Sequence, residues 1–237
     1  MKKKVAIIDH LGAHGSSHHF YLFGQAKGLI ENNIKVNLYT NSSTINPLIK
    51  DLKFFQYYKN IFNTKNKFLS LLRYLIGSVK SHIHARVNSC NIFHYHLFGS
   101  SILVIFNMIL AKLLFAKITL TIHDVKSFSK KNKSSFYSSL IYFFSDLILT
   151  HNQFSKEEII LNFAYLANKI EIIPHGNYTP FISIEENQKI TRTKLNISEE
   201  KKVLLFFGMI KSVKGLDVLL KAMPEIIKSN PNILLLI

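Results

Sequence analysis

The chain has 237 residues, of which 48% are hydrophobic and 19% are charged, a balance that excludes an intrinsically disordered protein. Its single cysteine, Cys90, excludes an internal disulfide and fits a reducing compartment. The first apolar run ends at Asp9 and is too short for a secretory signal peptide. The longest apolar stretch, 102–118, contains two lysines, so it predicts a buried helix rather than a membrane span.

The net charge is +16, from 30 basic and 14 acidic residues. Such an excess suits nucleic acid, an anionic membrane or a phosphorylated small substrate. The sequence contains no zinc-finger spacing, no RNP motif and no recognisable helix-turn-helix, so we expect no nucleic-acid partner. The basic clusters Lys2–Lys4 and Lys126–Lys133 are typical of solvated faces, and a membrane surface is the alternative.

Short apolar runs alternate with longer helical patterns up to residue 174. The predicted strands are Lys4–Asp9, Lys35–Tyr39, Phe54–Tyr58, Ile92–His96, Ile118–His123, Leu147–Thr150 and Ile170–Pro174. The predicted helices between them are Ser17–Asn32, Lys67–His84, Ser100–Phe115, Ser134–Phe144 and Ser155–Phe163. This alternation predicts an α/β fold with a parallel, doubly wound sheet, whose ligands bind at the carboxyl ends of the strands.

A polar stretch without a strong period, residues 179–202, separates this pattern from a new strand at Val203. We therefore predict a first domain over 1–178, a passage over 179–202 and the start of a second domain over 203–237. The second domain should hold a buried strand, Val203–Phe207, then a helix that ends before Pro231. A further apolar strand, Ile233–Ile237, follows it.

Between that strand and helix lies a glycine turn with two lysines, in the order Gly208, Lys211, Lys214 and Gly215. The first N–H groups of a helix are unpaired and carry partial positive charge, so such a turn can receive phosphate. Lys211 and Lys214 add full charges there. The spacing is not that of a Walker A loop.

The first strand leads into a second glycine loop, where Gly12 and Gly15 can bring the backbone close to a ligand. Their G-x-x-G spacing is not the dinucleotide fingerprint, so a structural and a ligand-binding role both stay open. The nearby His14, His18 and His19 suggest a metal, but no second ligand cluster with zinc spacing follows, and we expect no metal site.

Polar residues also end later strands, where side chains of open α/β folds face a ligand. His123 and Asp124 end one predicted strand and His96 ends the strand before it. On the residues alone, His123 could be structural or functional. His82 and His84 fall on opposite sides of a basic helix that we expect to be exposed, and no role is assigned to them.

Two further segments follow strands in the same way. His151 comes after Leu147–Thr150, and Ser155 with Glu158 three residues later predicts a capping box for the next helix. Further on, Gly176 lies in the sequence Ile-Pro-His-Gly at the end of the first domain, where it permits a backbone turn.

Taken in order, these motifs resemble group 1 glycosyltransferases over almost the whole chain. The stretch from Phe206 to Gly215 resembles the family's F-x-G-x-x-x-x-x-K-G segment. The resemblance implies the GT-B fold, with two facing Rossmann-like domains, and sugar transfer with retention from a nucleotide-sugar. It implies that Gly208, Lys211 and Lys214 hold the donor diphosphate, and that the loop of Gly12 and Gly15 faces donor and acceptor.

The same resemblance implies roles for the residues that end the strands. It implies that His123, often followed by aspartate as in His123-Asp124, contacts the sugar or the reacting phosphate. It implies acceptor contact for His96 and a place for Gly176 at the domain junction. The leaving phosphate would deprotonate the acceptor, so no protein base, no metal and no cofactor beyond the nucleotide-sugar is expected.

The chain departs from the family pattern in three ways. Met209 follows the glycine where many members have arginine, although Lys211 supplies a basic residue two positions on; lysine lacks the guanidinium fork. His151 stands at the usual serine position. The family's E-x-x-x-x-x-x-x-E element is absent from 1–237, so we expect a donor domain that is truncated and a chain inactive alone.

The expected function is a hexosyltransferase of polysaccharide biosynthesis, acting on a saccharide or lipid-linked acceptor. The basic, aromatic-rich stretch Lys53–Arg86 is expected to meet an anionic membrane, which would make the protein cytoplasmic and peripheral on the inner face. The alternative is a catalytically dead remnant that keeps affinity for a ligand or membrane. A Rossmann-type epimerase would need G-x-G-x-x-G and Y-x-x-x-K, and neither occurs in a suitable place.

Overall fold

A computed structural model describes residues 3–14, 17–124, 134–181, 187–208 and 210–237. Gly15, Met209 and the basic cluster Lys126–Lys133 lie outside the described residues. The chain divides into two compact units, 1–182 and 183–237. Each unit has its own sheet, and Val203 does not pair into the first sheet.

The first unit is built on a seven-stranded sheet in the order β3-β2-β1-β4-β5-β6-β7, and all of its strand pairs are parallel. This confirms the predicted α/β fold with its parallel sheet. The strands are β1 (Lys4–Ile8), β2 (Lys35–Asn41), β3 (Lys53–Tyr58), β4 (Ile92–Leu97), β5 (Lys117–Ile122), β6 (Leu147–Thr150) and β7 (Ile170–Ile172).

The helices of the first unit fall where the periodicity predicts them. They are α1 (His18–Glu31), α2 (Lys67–Val87), α3 (Ile102–Leu113), α4 (Ser134–Phe144) and α5 (Gln153–Asn162). Helix α5 begins two residues earlier than predicted. Asn152 caps it, and its Oδ1 accepts from the Ser155 N–H at 2.8 Å. The predicted capping role of Ser155 is therefore wrong, because Asn152 caps the helix three residues earlier and Ser155 lies inside its first turn.

The core lies on both faces of the sheet, as alternation along the strands requires. On β1, Val5 and Ile7 pack with α1, whereas Ala6 and Ile8 belong to the opposite, larger cluster. Helix α2 packs on that larger side and buries His82, whose Nε2 lies 2.7 Å from the Tyr95 hydroxyl. The prediction that this helix is exposed is therefore wrong for its inner face.

The second unit contains α6 (Gln188–Lys194), β8 (Lys202–Leu205), α7 (Leu216–Ser229) and β9 (Ile233–Leu236). The two strands pair in parallel as a sheet of their own. The strand expected to be buried is only half-covered: Leu205 is exposed, and Phe207 is 91% exposed. The reason is that β8 has a single neighbouring strand in this sheet.

None of the helices among the described residues is long and apolar enough to cross a membrane. The apolar stretch 102–118 divides into α3, a turn and the start of β5.

Candidate functional site

The strand order places the carboxyl ends of β1, β4, β5, β6 and β7 side by side at one edge of the first sheet. A polar residue lies at or just after each of these ends, because the apolar run that forms each strand stops there. In sheet order these residues are Asp9, His96, His123, His151 and, three residues after β7, His175. The sequence predicted two of these histidines as site residues, and the fold adds the other two.

His123 lies at the centre of this row. Its Nε2 is 3.0 Å from His96 Nδ1, and its Nδ1 is 3.2 Å from His151 Nε2. The outer nitrogens are also engaged: His96 Nε2 lies 3.1 Å from Gln25 Oε1, and His151 Nδ1 lies 3.0 Å from the Ile173 carbonyl oxygen. The rings therefore form one continuous polar chain across three strands.

At one end of the row, His18 of α1 holds Asp9. The ring Nε2 is 2.9 Å from Asp9 Oδ2, and the backbone N–H of Gly12 donates to Asp9 Oδ1 at 2.7 Å. Burial acts to raise the pKa of Asp9, but the hydrogen bond and charge of His18 and the N–H of Gly12 bring it below its usual value. The carboxylate thus fixes the glycine loop to the histidine row.

The central rings are uncharged at neutral pH. Desolvation lowers the pKa of His123 to about 3, and the neighbouring His18 and His151 lower it further. Burial alone lowers the pKa of His94 to about 4, and burial followed by repulsion from its neighbours holds the pKa of His96 well below its usual value. Neutral imidazoles each offer one N–H and one lone pair, so the row can both donate and accept.

Aromatic side chains surround these rings. Tyr21 of α1 lies edge-on to His123, with ring centroids 4.8 Å apart, and 4.9 Å from His175. Phe98 stacks on the other side of His123 at 4.5 Å with an interplanar angle of 5°. Sequence reasoning missed Tyr21 and Gln25, because both lie inside α1 rather than at a strand end. Their position in the first two turns after the glycine loop was the available signal.

The glycine loop has a structural basis. Gly12 has φ +45°, a conformation that favours glycine, and a side chain there would collide with the hydroxyls of Thr40 and Thr44. His14 is exposed and stacks on Phe62 at 3.6 Å, apart from the row.

The other predicted site residues of the first unit lie close by. Asp124 is half-buried directly after His123. Gly176 is exposed, and its carbonyl oxygen accepts from His175 Nδ1 at 2.7 Å. Its φ lies outside the left-handed region, so this position does not require glycine in the way that Gly12 does.

A cavity of about 790 Å³ opens beside this row on the α1 face of the sheet. Tyr21, Gln25 and His94 line its upper part, and it continues along apolar residues such as Val5 and Leu147 toward the other end of the strands. His96 and His123 do not line it. The cavity therefore lies next to the histidine row but is not lined by its two central rings.

In the second unit, the predicted turn joins β8 to α7. Gly208 has φ +126° and Gly215 has φ +70°, so glycine is required by the backbone at both positions. Gly215 caps α7, and a short 3₁₀ helix, Ser212–Lys214, precedes it. Lys211 and Lys214 are both exposed. The arrangement thus presents two cations beside a helix N-terminus.

Residues 187–237 match the family "Glycosyl transferases group 1". No curated protein matches the sequence. Among solved structures, HepE from Anabaena in complex with UDP and glucose aligns with a TM-score of 0.67 at 15% identity, covering 98% of this chain and 60% of that one. The UDP-GlcNAc 2-epimerase from Methanocaldococcus jannaschii aligns with a TM-score of 0.60 at 17% identity, covering 99% and 65%.

At these identities the solved structures show the fold. The chain spans about three fifths of the length of the solved structures it matches, 58–65% for the first three. The fold expected from the sequence motifs is thereby confirmed, and the expected family is matched over residues 187–237. Residues 187–237 match the group 1 glycosyltransferase family, and the chain has the Rossmann-like α/β architecture of the GT-B fold.

Proposed function

We propose that the chain is part of a retaining glycosyltransferase that moves a sugar from a nucleotide-sugar to a saccharide or lipid-linked acceptor. The observation that carries the proposal is the family match over residues 187–237, which contains the turn of Gly208, Lys211, Lys214 and Gly215. In this proposal the first unit is the acceptor side and the second unit is the start of the donor side.

The donor chemistry follows from charge. When the sugar leaves a nucleoside diphosphate, negative charge develops on the leaving phosphate. Lys211, Lys214 and the N-terminus of α7 after Gly215 would stabilise that charge without a metal ion at the phosphate. The exposure of both lysines leaves their ammonium groups able to reach a ligand.

The acceptor chemistry is assigned to the histidine row. A neutral imidazole can donate to or accept from a sugar hydroxyl, and a hydroxyl bound at His123 would replace one of its two ring partners, His96 or His151. His96 and Asp124 lie beside His123 to contact the acceptor. Gly176 borders the same edge. No separate general base is needed if the leaving phosphate takes the acceptor proton, so the nucleotide-sugar is the only co-substrate proposed.

Two alternatives remain distinct from this proposal. Solved structures with the same fold include UDP-GlcNAc 2-epimerases, one of them from Neisseria meningitidis bound to UDP-GlcNAc. The family match at 187–237 favours transfer over epimerisation. The second alternative is a binding remnant without catalysis that keeps affinity for a ligand or membrane.

Incubation of residues 1–237 with labelled nucleotide-sugars tests this assignment. We expect donor affinity no better than about millimolar, roughly −4 kcal/mol, and no measurable transfer. The reason is that the acidic element that would grip the ribose is not in this sequence. Turnover of about 1 per second or faster would show that the acidic element is not needed for transfer. Epimerisation of the donor sugar would show that the chain is an epimerase and not a transferase.

We further propose that α2 lies on an anionic membrane. Its exposed apolar residues fall on one face of the helix, since most recur at spacings of three or four: Phe68, Leu71, Leu72, Ile76, Val79, Ile83 and Val87. The helix contains no acidic residue, and exposed lysines flank the face at Lys67 and Lys80. An apolar stripe flanked by cations is the pattern of an interfacial helix.

We expect the chain to co-sediment with vesicles that contain anionic lipid, and to do so less at high salt, because each basic residue near the surface contributes roughly 1 kcal/mol. Phe68→Glu should weaken binding roughly tenfold or more, since a buried phenylalanine contributes about 2 kcal/mol. Leu161→Glu is the matched control, because Leu161 is 82% exposed on α5. Equal binding to neutral and anionic vesicles, or equal losses in both variants, would contradict the proposal.

A further inference from the structure

Three histidine rings converge where β5, β6 and β7 end. One ring nitrogen from each of His123, His151 and His175 lies within 4.8 Å of the other two. The proposed sugar transfer uses His123 but gives no role to His151 or His175. His151 stands where the family usually has serine, so its place in this cluster is specific to this chain.

Hydrogen bonding on one side of His123 assigns its proton. Gln25 Oε1 is an acceptor, so His96 Nε2, at 3.1 Å, carries the proton that it donates. A neutral His96 then presents a lone pair at Nδ1, which accepts from His123 Nε2–H at 3.0 Å. With its proton on Nε2, a neutral His123 is left with a lone pair at Nδ1.

The rings on the other side are assigned in the same way. His151 Nδ1 donates to the Ile173 carbonyl oxygen at 3.0 Å, so its Nε2 carries a lone pair. That Nε2 faces the lone pair of His123 Nδ1 at 3.2 Å. His175 Nδ1 donates to the Gly176 carbonyl oxygen at 2.7 Å, which leaves its Nε2 as an acceptor as well. Each of the three rings therefore has one nitrogen with a lone pair, and a cation bound by these nitrogens would satisfy all three.

The separation of two of these ring nitrogens suits a transition metal. Two imidazole nitrogens bound to Zn²⁺ at about 2.0–2.1 Å in a tetrahedral site lie about 3.3 Å apart, close to the 3.2 Å between His123 and His151. The second nitrogens of His151 and His175 donate to backbone carbonyls, the arrangement that orients histidine ligands of metals. His175 is exposed, so an ion can reach the cluster from solvent.

We propose that His123, His151 and His175 form a binding site for one borderline divalent transition-metal cation, of the class of Zn²⁺ and Co²⁺, with its fourth position open to solvent or a ligand oxygen. This inference goes beyond the proposed sugar transfer and replaces the sequence-based expectation of no metal. Imidazole is a preferred ligand for these ions, and three histidines with an open position are a known arrangement for zinc.

A competing arrangement needs no ion. If the Gln25 amide is reversed, its Nε2 donates to His96. Each ring then donates one N–H to the next ring, and the last donates to the Ile173 carbonyl oxygen. A second trio, His18, His96 and His123, also brings ring nitrogens within 4.8 Å of one another, but His18 is engaged by Asp9 at 2.9 Å. The experiment must separate these arrangements.

The test is an equilibrium titration of metal-free chain 1–237 with Zn²⁺ against a chromophoric chelator, and with Co²⁺ followed by its visible absorption. We expect one ion per chain and an absorption band typical of nitrogen-rich, four-coordinate Co²⁺. His175→Ala and His151→Ala should each weaken binding by at least roughly 10–100-fold, the loss that removal of even an outer partner of a metal ligand produces.

His14→Ala is the matched control, because His14 is exposed and stacks on Phe62 away from the cluster. It should leave the affinity unchanged, and circular dichroism should show that all variants are folded. Absence of stoichiometric metal binding would support the arrangement in which the rings hydrogen-bond to one another without an ion, and would overturn the proposal. Binding that His18→Ala abolishes while His175→Ala leaves it intact would assign the ion to the other trio and overturn it as well. Neither readout depends on sugar transfer.

Discussion

Replacing Lys214 by alanine should lower the rate of sugar transfer about 10²–10³-fold in a protein that joins residues 1–237 to a complete donor domain. Lys214 is exposed directly before the N-cap of α7, where negative charge on a leaving phosphate would develop. The magnitude is that of removing one preorganised charge-stabilising donor. Steady-state assays with the same donor measure it.

Two further variants make this result specific. Lys214→Arg keeps the charge and should retain more activity than the alanine variant, although the guanidinium differs in shape. Lys221→Ala removes an exposed lysine two turns further along α7 and should have little effect. A Lys214→Ala enzyme with the wild-type rate would refute the phosphate assignment even though the fold is correct.

Gly12→Ala should destabilise the first unit by about 2–4 kcal/mol. A non-glycine residue held at φ +45° costs on the order of 1 kcal/mol, and the new Cβ would collide with the hydroxyls of Thr40 and Thr44, which adds about 1–3 kcal/mol of overpacking. Urea denaturation followed by circular dichroism measures the change in the free energy of unfolding.

Gly28→Ala is the matched control. Gly28 lies inside α1, and a methyl group added there would meet no neighbouring atom within 4 Å. Alanine there should stabilise the helix by roughly 0.5–1 kcal/mol. Two variants of equal stability would contradict the claim that the glycine at position 12 is required by the backbone and its neighbours.

The sequence predicted the sheet because its strands are short apolar runs separated by helical periods. The end of a helix was predictable where a single residue favours it. Helix α1 ends at Glu31, and Asn33 adopts the positive φ that is typical just after a helix. The start of α5 was misassigned because both Asn152 and Ser155 are good capping residues. His82 was misassigned because α2 carries apolar residues on both its buried and its exposed face.

The site was predictable in part for a similar reason. A histidine that ends an apolar run in a parallel sheet must lie at the ligand edge, and this rule gives His96 and His123. Their contact needs the strand order, since β4 and β5 must be neighbours for the two rings to meet at 3.0 Å. The participation of Tyr21 and Gln25 depends on how α1 packs on the sheet, and their position just after the glycine loop is the one sequence signal for it.

The donor-phosphate site is tested most directly by titrating UDP into chain 1–237 while following its ³¹P resonances. We predict that the β-phosphate resonance shifts or broadens with an affinity of about millimolar or weaker. The Lys211→Ala, Lys214→Ala double variant should abolish this effect, and Lys221→Ala should preserve it. A phosphate response that is the same in all three proteins would contradict the assignment of Lys211 and Lys214 to the donor diphosphate.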